Sequence, residues 1–311
     1  MSDFRLKVFQ CVAKHLSFTK AAKELFISQA AVSKNIQELE NYYEVKLFER
    51  MGGKIELTPA GVEFLELVNE ILSKYGNLLF RMHQLSDKST GILRIGTTIT
   101  TGQYILPSLL AEFHRRYPHI LVALTSTPDS ESIENLLIKG QVDIGLIRGY
   151  TRERNLKYIP FMKDRIVPFM STANPLVKEG EGIRLEKIYK MPLALRESVS
   201  DTYQIMRDTL LDHEIDMTRL NICAYLDSVE GLKSYLLYSD CVSLLSIYAI
   251  RNGNGNLFHL TGFKDIVMER DLCFAMVPQN SQDMLHMFMD HLRMSAGHIY
   301  GQKNCLAGDG N

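Results

Sequence analysis

Apolar positions in the first fifty-seven residues recur at helical spacing in short runs. Phe9, Val12 and Ala13 share a face with Phe4 and Leu6, which predicts a first helix. Ala21, Ala22 and Leu25 predict a second, and their small side chains let another helix come close. Phe26-Ile27-Ser28 reads as a turn, with Ser28 placed to cap a third helix whose buried face is Val32, Ile36 and Leu39. Thr58-Pro59 predicts a further helix start, because a threonine hydroxyl accepts an orphan amide and the fixed φ of proline suits the first helical position. This helix runs to about Ser86. Leu65, Leu72 and Leu79 repeat every seven residues, as do Val68, Tyr75 and Met82, which predicts an a/d seam. Some 28 residues rise ~42 Å and cannot bury such a seam alone. Dimerisation through this helix is the expectation; packing on its own domain is the alternative.

Beyond a polar linker at Asp87–Gly91 the pattern alternates between strand and helix. Strands are expected at Ile92–Gly96, Ile120–Thr125 and Val142–Ile147, with helices at Tyr104–Arg116 and Ser132–Lys139 between them. A second set follows Asp164: strands Ile166–Met170 and Leu193–Leu195, helix Thr202–Leu211, strand Asn221–Tyr225, helix Val229–Tyr238 and strand Val242–Ser246. A late strand, Leu272–Val277, and a helix from Gln282 would return to the first set. This order predicts a mostly parallel sheet with helices on both faces, in two α/β lobes. Gly297–Asn311 reads as a frayed end. The expected division is residues 1–58 as an all-α-dominated N-terminal domain, 59–88 as a linker helix, and 89–311 as two lobes. Lobe I would span about 89–162 and 266–298, and lobe II about 163–265.

At 311 residues, 46% hydrophobic, the chain is too long for one core and too apolar to be disordered. Its net charge of -1 argues against a protein coated in nucleic acid, but a small DNA-reading domain is compatible with it. Residues 1–58 carry nine Lys/Arg against seven Asp/Glu, a balance of +2. No uncharged stretch reaches the ~18–20 apolar residues of a membrane span, and no apolar leader follows Met1. The cysteines at 11, 223, 241, 273 and 305 form no CxxC and read as reduced thiols packed as small apolar groups. A cytoplasmic protein is expected.

The segment Ser17–Glu40 has a helix-turn-helix layout. The outer face of its second helix carries Gln29, Ser33, Lys34 and Gln37. Glutamine in a major groove can read adenine, and lysine or serine can hold phosphates. SFTKAAKELFISQAAVSKNIQELE, then Leu47-Phe48-Glu49-Arg50 and Leu57-Thr58-Pro59-Ala60-Gly61, resemble the N-terminal signature of LysR-type transcriptional regulators. The likeness is close over about 60 residues, and the long helix and two-lobed remainder fit the family's plan. Ala30 stands where many members have proline.

The resemblance implies a winged helix-turn-helix that binds operator DNA as a homodimer, and as a homotetramer built as a dimer of dimers. Ser28, Gln29, Ala30, Ser33, Lys34 and Gln37 would face DNA. Arg50 to Ile55, turning at Gly52-Gly53, would form the wing, with Arg50 and Lys54 on phosphates or the minor groove. Leu65, Val68, Leu72, Tyr75 and Leu79 would form the dimer helix. It also implies a two-lobed α/β effector domain like type 2 periplasmic binding proteins, with a small molecule in the cleft. Thr98 and Thr100 match the family's effector positions. Arg148, Ser198, Ser200 and Ser228 are candidate partners from their places at strand or helix ends, although capping explains the serines equally well. A carboxylate is one candidate effector class, and no cofactor or metal is expected. Asp143 matches a family acid but reads as fixing a strand entry. Ser239-Asp240-Cys241 departs from a Gly-rich turn common in the family.

Two other classes compete. An enzyme finds no GxSxG, HExxH, P-loop or GxGxxG here. The run Met284–His291 hints at a soft-metal site, yet Leu285, Phe288, Met289 and Leu292 give a plain amphipathic face. A solute-binding protein of the same lobe plan should carry an export signal and no helix-turn-helix. The expected activity is therefore regulation of transcription, not catalysis.

Overall fold

Three helices, α1 (Asp3–His15), α2 (Phe18–Glu24) and α3 (Gln29–Tyr43), build the N-terminal core with a hairpin of β1 (Phe48–Met51) and β2 (Lys54–Leu57). The computed structural model describes residues 3–51, 54–85, 91–149, 153–179, 182–249, 257–278 and 283–300. Phe9 sits at the centre of this core, its ring 5.3 Å from Phe48 and 4.8 Å edge-on from Phe64. Truncating so buried an aromatic costs ~3–5 kcal/mol. Ala21, Ala22, Val32, Ile36 and Leu39 are all buried, as their spacing predicts.

The long helix α4 (Pro59–Leu85) starts at the predicted Thr58-Pro59, where the Thr58 hydroxyl accepts the Gly61 N–H at 2.9 Å. Gly61 has a steric reason to be glycine: a Cβ there would lie 2.1 Å from the Leu47 carbonyl oxygen. The predicted seam is corrected. Val68 is fully buried in the N-terminal core, and Leu65 and Leu72 pack against it. A seven-residue repeat fixes a stripe but not what covers it, and here the N-terminal domain, chiefly α1, covers half of it. The exposed stripe is Leu67, Ile71, Tyr75, Leu78 and Met82. Of the predicted dimer residues, Tyr75 remains outside, and the side chain of Leu79 lies outside the described residues.

The remainder opens with β3 (Gly91–Thr98), α5 (Ile99–Tyr104), α6 (Leu106–Arg116), β4 (Ile120–Thr127), α7 (Ser130–Ile138) and β5 (Ile144–Arg148). β3 pairs in parallel with β4 and β5. Asp143 locks this unit, its carboxylate accepting the Arg94 N–H at 2.8 Å and an Arg94 guanidinium N–H at 2.6 Å. β6 (Lys157–Ser171) then leads to β7 (Leu193–Arg196), α8 (Asp201–Asp212), β8 (Ile222–Leu226), α9 (Val229–Leu237), β9 (Ser243–Ser246), β10 (Phe258–Leu260), β11 (Met268–Met276) and α10 (Asp283–Tyr300).

The sheet is mixed rather than mostly parallel. Its order is β10-β6-β11-β5-β3-β4, with β9 also on β6, and every pairing of β6 and β11 is antiparallel. Among the described residues β7 and β8 form a further parallel pair, and Leu193 of β7 also bridges Val242 in parallel. β6 runs for 15 residues across the expected lobe boundary at 162/163, with a register shift against β11 at Phe161, and its buried Asp164 carboxylate meets Arg270 of β11 and the Ser246 hydroxyl instead of water. The C-terminal segment is also corrected. Gly297–Tyr300 is helical, and the Tyr300 hydroxyl donates to the Ile105 carbonyl at 2.9 Å; residues 301–311 lie outside the described residues.

Candidate functional site

The candidate recognition surface is built by two serine caps. The Ser17 hydroxyl accepts from the Lys20 N–H and starts α2; the Ser28 hydroxyl accepts from the Ala31 N–H at 3.1 Å and starts α3. With Val32, Ile36 and Leu39 turned inward, the outer face of α3 presents Gln29, Ala30, Ser33, Lys34 and Gln37, all exposed, beside exposed Ser28. Between α3 and the hairpin lies a groove of about 270 Å³ lined by Gln29, Ser33, Gln37, Lys46, Glu49 and Ile55 among others. Arg50 pairs with Ile55 and Met51 with Lys54 in the backbone register of the hairpin. The side chains of Arg50 and Lys54, and the Gly52-Gly53 turn, lie outside the described residues.

Glu40 couples α3 to the hairpin. Its carboxylate accepts the Leu47 N–H at 2.9 Å and the Phe48 N–H at 3.3 Å, and pairs with Lys46 at 2.7 Å. Burial pushes this carboxyl up, but the Lys46 and amide hydrogen bonds outweigh it and leave it below the usual glutamate range. Sequence places Phe26 in the turn before α3. It is 94% exposed at the corner before α3, with a left-handed φ of 55°.

Cys11, His15 and Glu24 are the one cluster of potential metal ligands among the described residues. Lys14 already donates to both Glu24 oxygens, at 2.8 and 3.0 Å, and His15 contacts the same carboxylate. Burial pushes the Cys11 thiol up to about 11. A cation would have to displace an ammonium and deprotonate this thiol, so the cluster is an ion pair tying α1 to α2. In the Met284–His291 run, Met284, Leu285, Phe288 and Met289 are buried, and His291 stands edge-on to Phe113. This is core packing.

In the interlobe cleft Thr98 and Thr100 are buried, and the Thr98 hydroxyl donates to that of Thr101. A short helix that the sequence pattern does not predict, α5, begins at Ile99, so Thr100 sits inside its first turn; the predicted helix is α6. Arg148 is half-buried at the end of β5. Ser198 is exposed and its carbonyl accepts from the Gln204 side chain. Ser200 caps α8 and Ser228 caps α9, so each hydroxyl oxygen already holds an amide.

Two contacts across the cleft were not predicted. Asp201 of lobe II accepts the Ser130 hydroxyl of lobe I at 2.7 Å and its N–H at 3.4 Å. Tyr104 of lobe I donates to Glu230 of lobe II at 2.6 Å, while Lys233 lies 2.8 Å from that carboxylate and 4.5 Å from the Tyr104 ring centroid. Arg196, almost fully buried beside them, donates to the Asp227 carbonyl at 2.8 Å. In sequence these residues show only helix-start and amphipathic signals; their pairing is tertiary.

Residues 4–62 match the family model of bacterial regulatory helix-turn-helix proteins of the lysR family, and residues 86–295 match the LysR substrate binding domain. The chain belongs to the LysR family. This LysR-family chain is a DNA-binding transcriptional regulator with an effector domain, and not an enzyme. It is 30% identical over 281 residues, 88% of its length and 82% of the relative's, to a probable RuBisCO transcriptional regulator of Trichormus variabilis. It is 32% identical over 246 residues, 79% of each chain, to the HTH-type transcriptional activator CmpR of Synechocystis sp.. Its fold matches a full-length OxyR variant from Pseudomonas aeruginosa with a TM-score of 0.73 at 20% identity, covering 94% of this chain and 95% of that one. It also matches full-length CbnR in complex with its target DNA, with a TM-score of 0.59 at 22% identity, covering 95% and 100%. Among the described residues no helix is long and apolar enough to cross a membrane.

Proposed function

We propose that this regulator reads a two-fold symmetric operator as a cytoplasmic homodimer, and as a dimer of dimers, and that a small carboxylate in the cleft switches it. The exposed polar row Gln29, Ser33, Lys34 and Gln37 on a capped helix carries the reading. Its Gln, Ser and Lys side chains suit base edges and phosphates, and the groove beside it leads to the wing. CbnR, of the same fold, is complexed with target DNA, and CmpR is named an activator.

The dimer rests on the apolar stripe Leu67, Ile71, Tyr75, Leu78 and Met82. A second copy of α4 would bury it and set two recognition helices about 34 Å apart, one turn of DNA or a multiple of it. Thr98, Thr100, Arg148, Ser198, Ser200 and Ser228 are the effector residues of this reading, with the Arg148 guanidinium suited to a carboxylate. Footprinting on DNA flanking the chain's own gene tests the reading. The expected result is paired protected segments in register with the helical repeat, altered by one member of a panel of small carboxylates. Protection without sequence preference would overturn it.

A further inference from the structure

Asp201 is the first residue of α8, and 5% of its surface is exposed. Its carboxylate points away from its own lobe, to the first residue of α7. Ser130 gives it the 2.7 Å hydroxyl bond and the longer amide bond, and the Ser130 oxygen in turn accepts the Arg148 N–H at 3.0 Å. The Asp201 N–H turns back to the Pro128 carbonyl at 3.4 Å. The end of β5 and the starts of α7 and α8 thus converge on one buried carboxylate. Both helix N-termini favour negative charge, and an O–H···O⁻ bond is stronger than a neutral one. Tyr104 and Glu230 close a second point of the cleft.

We propose that Asp201 is a tethered carboxylate that holds the lobes together at Ser130 when no ligand is bound, and that a carboxylate effector acts by taking its place there. This rests on the cleft being the effector site. An effector shifts the lobe equilibrium only by its difference in affinity between the two states, so the internal competitor sets how tightly it must bind. An acid that served only the dipole of its own helix would leave lobe I unchanged on removal.

Hydrogen exchange by mass spectrometry on the full-length chain tests this. The amides of Ser130 and Arg148 are compared in wild type, Asp201→Ala and Asp201→Asn, with sodium formate or sodium chloride at equal ionic strength. The Asp201→Ala variant should exchange about tenfold faster at both amides, as loss of a charge-assisted hydrogen bond implies. Formate should slow that exchange in the variant and leave wild type unchanged. Asp201→Asn keeps the side chain's shape and should give intermediate rates, which separates loss of the contact from loss of folding. Wild-type rates at both amides in both variants, or the same formate response in all three proteins, would overturn the proposal. Gel shifts on the same preparations report separately on DNA recognition: a wild type that fails to bind operator condemns that reading without moving the exchange result.

Discussion

Glu40 Oε1 accepts the Leu47 backbone N–H at 2.9 Å, joining α3 to the residue that enters the β1–β2 hairpin. Because this carboxyl is held below its ordinary value of 4.5, its contribution to stability is present above that pH and is lost as pH falls through the lower folded value. Hydrogen bonds to a charged group contribute ~1.5–3 kcal/mol. Glu40→Gln should lower the stability of the winged domain by about that range at pH 7 and flatten its acid limb. Urea unfolding at pH 7 and pH 4 checks this, and operator affinity should fall at pH 7 as the wing loses its register. Equal acid limbs in the two proteins would remove Glu40 from the coupling.

The two faces of α4 predict opposite failures. Ile71→Asp puts a charge on the exposed stripe and should abolish the proposed dimer while leaving the winged domain folded. Leu72→Asp puts a charge against the N-terminal core and should unfold that domain by several kcal/mol, whatever the oligomeric state. Sedimentation and circular dichroism on both variants separate the cases. A monomeric, folded Leu72→Asp protein would restore the heptad seam as the interface.

Much of the DNA-reading domain was legible because its signals are local. Ser28 caps Ala31, the Val32–Ile36–Leu39 face is buried, and Thr58-Pro59 starts α4, all within a few residues of chain. Val68 was not legible: a seven-residue spacing cannot distinguish a seam facing a second copy from one facing its own domain. Strand β6 was read short because Pro160 and the charged run Lys163-Asp164-Arg165 break the apolar pattern, and the partner that neutralises Asp164 lies 106 residues away. The cleft was least legible. Ser130 and Asp201 are 71 residues apart, and each alone reads as a helix start.

Where β6 meets β11, Arg270 donates from Nε to Asp164 at 2.8 Å, and its Nη2 lies 2.7 Å from the same oxygen, both side chains almost wholly buried. Breaking such a pair strands one buried charge, at a cost of ~3–5 kcal/mol. Asp164→Leu should therefore destabilise the effector domain by about that amount, and adding Arg270→Met should recover most of it. A double-mutant cycle in urea measures the coupling. Additive losses would mean that the pair does not interact energetically.

Effector response should depend on Thr100 without DNA binding doing so. Thr100→Val keeps the volume and removes a hydroxyl, which costs ~0.5–1.5 kcal/mol for a neutral hydrogen bond. With an effector compound in hand, the dose response should shift to higher concentration while ligand-free operator affinity holds. An unchanged dose response would take Thr100 out of the site.

The central claim is that the exposed face of α3 reads sequence. Gln29 stands in its first turn, exposed beside the groove to the wing. The direct measurement is the affinity of Gln29→Ala and wild type for operator and for random DNA at one fixed salt concentration. A glutamine reading a base is worth ~1–3 kcal/mol of discrimination. The predicted result is a loss of roughly tenfold on operator with random DNA unchanged. Equal losses on both would reassign Gln29 to the phosphates, and no loss on either would contradict the placement of α3 against the bases.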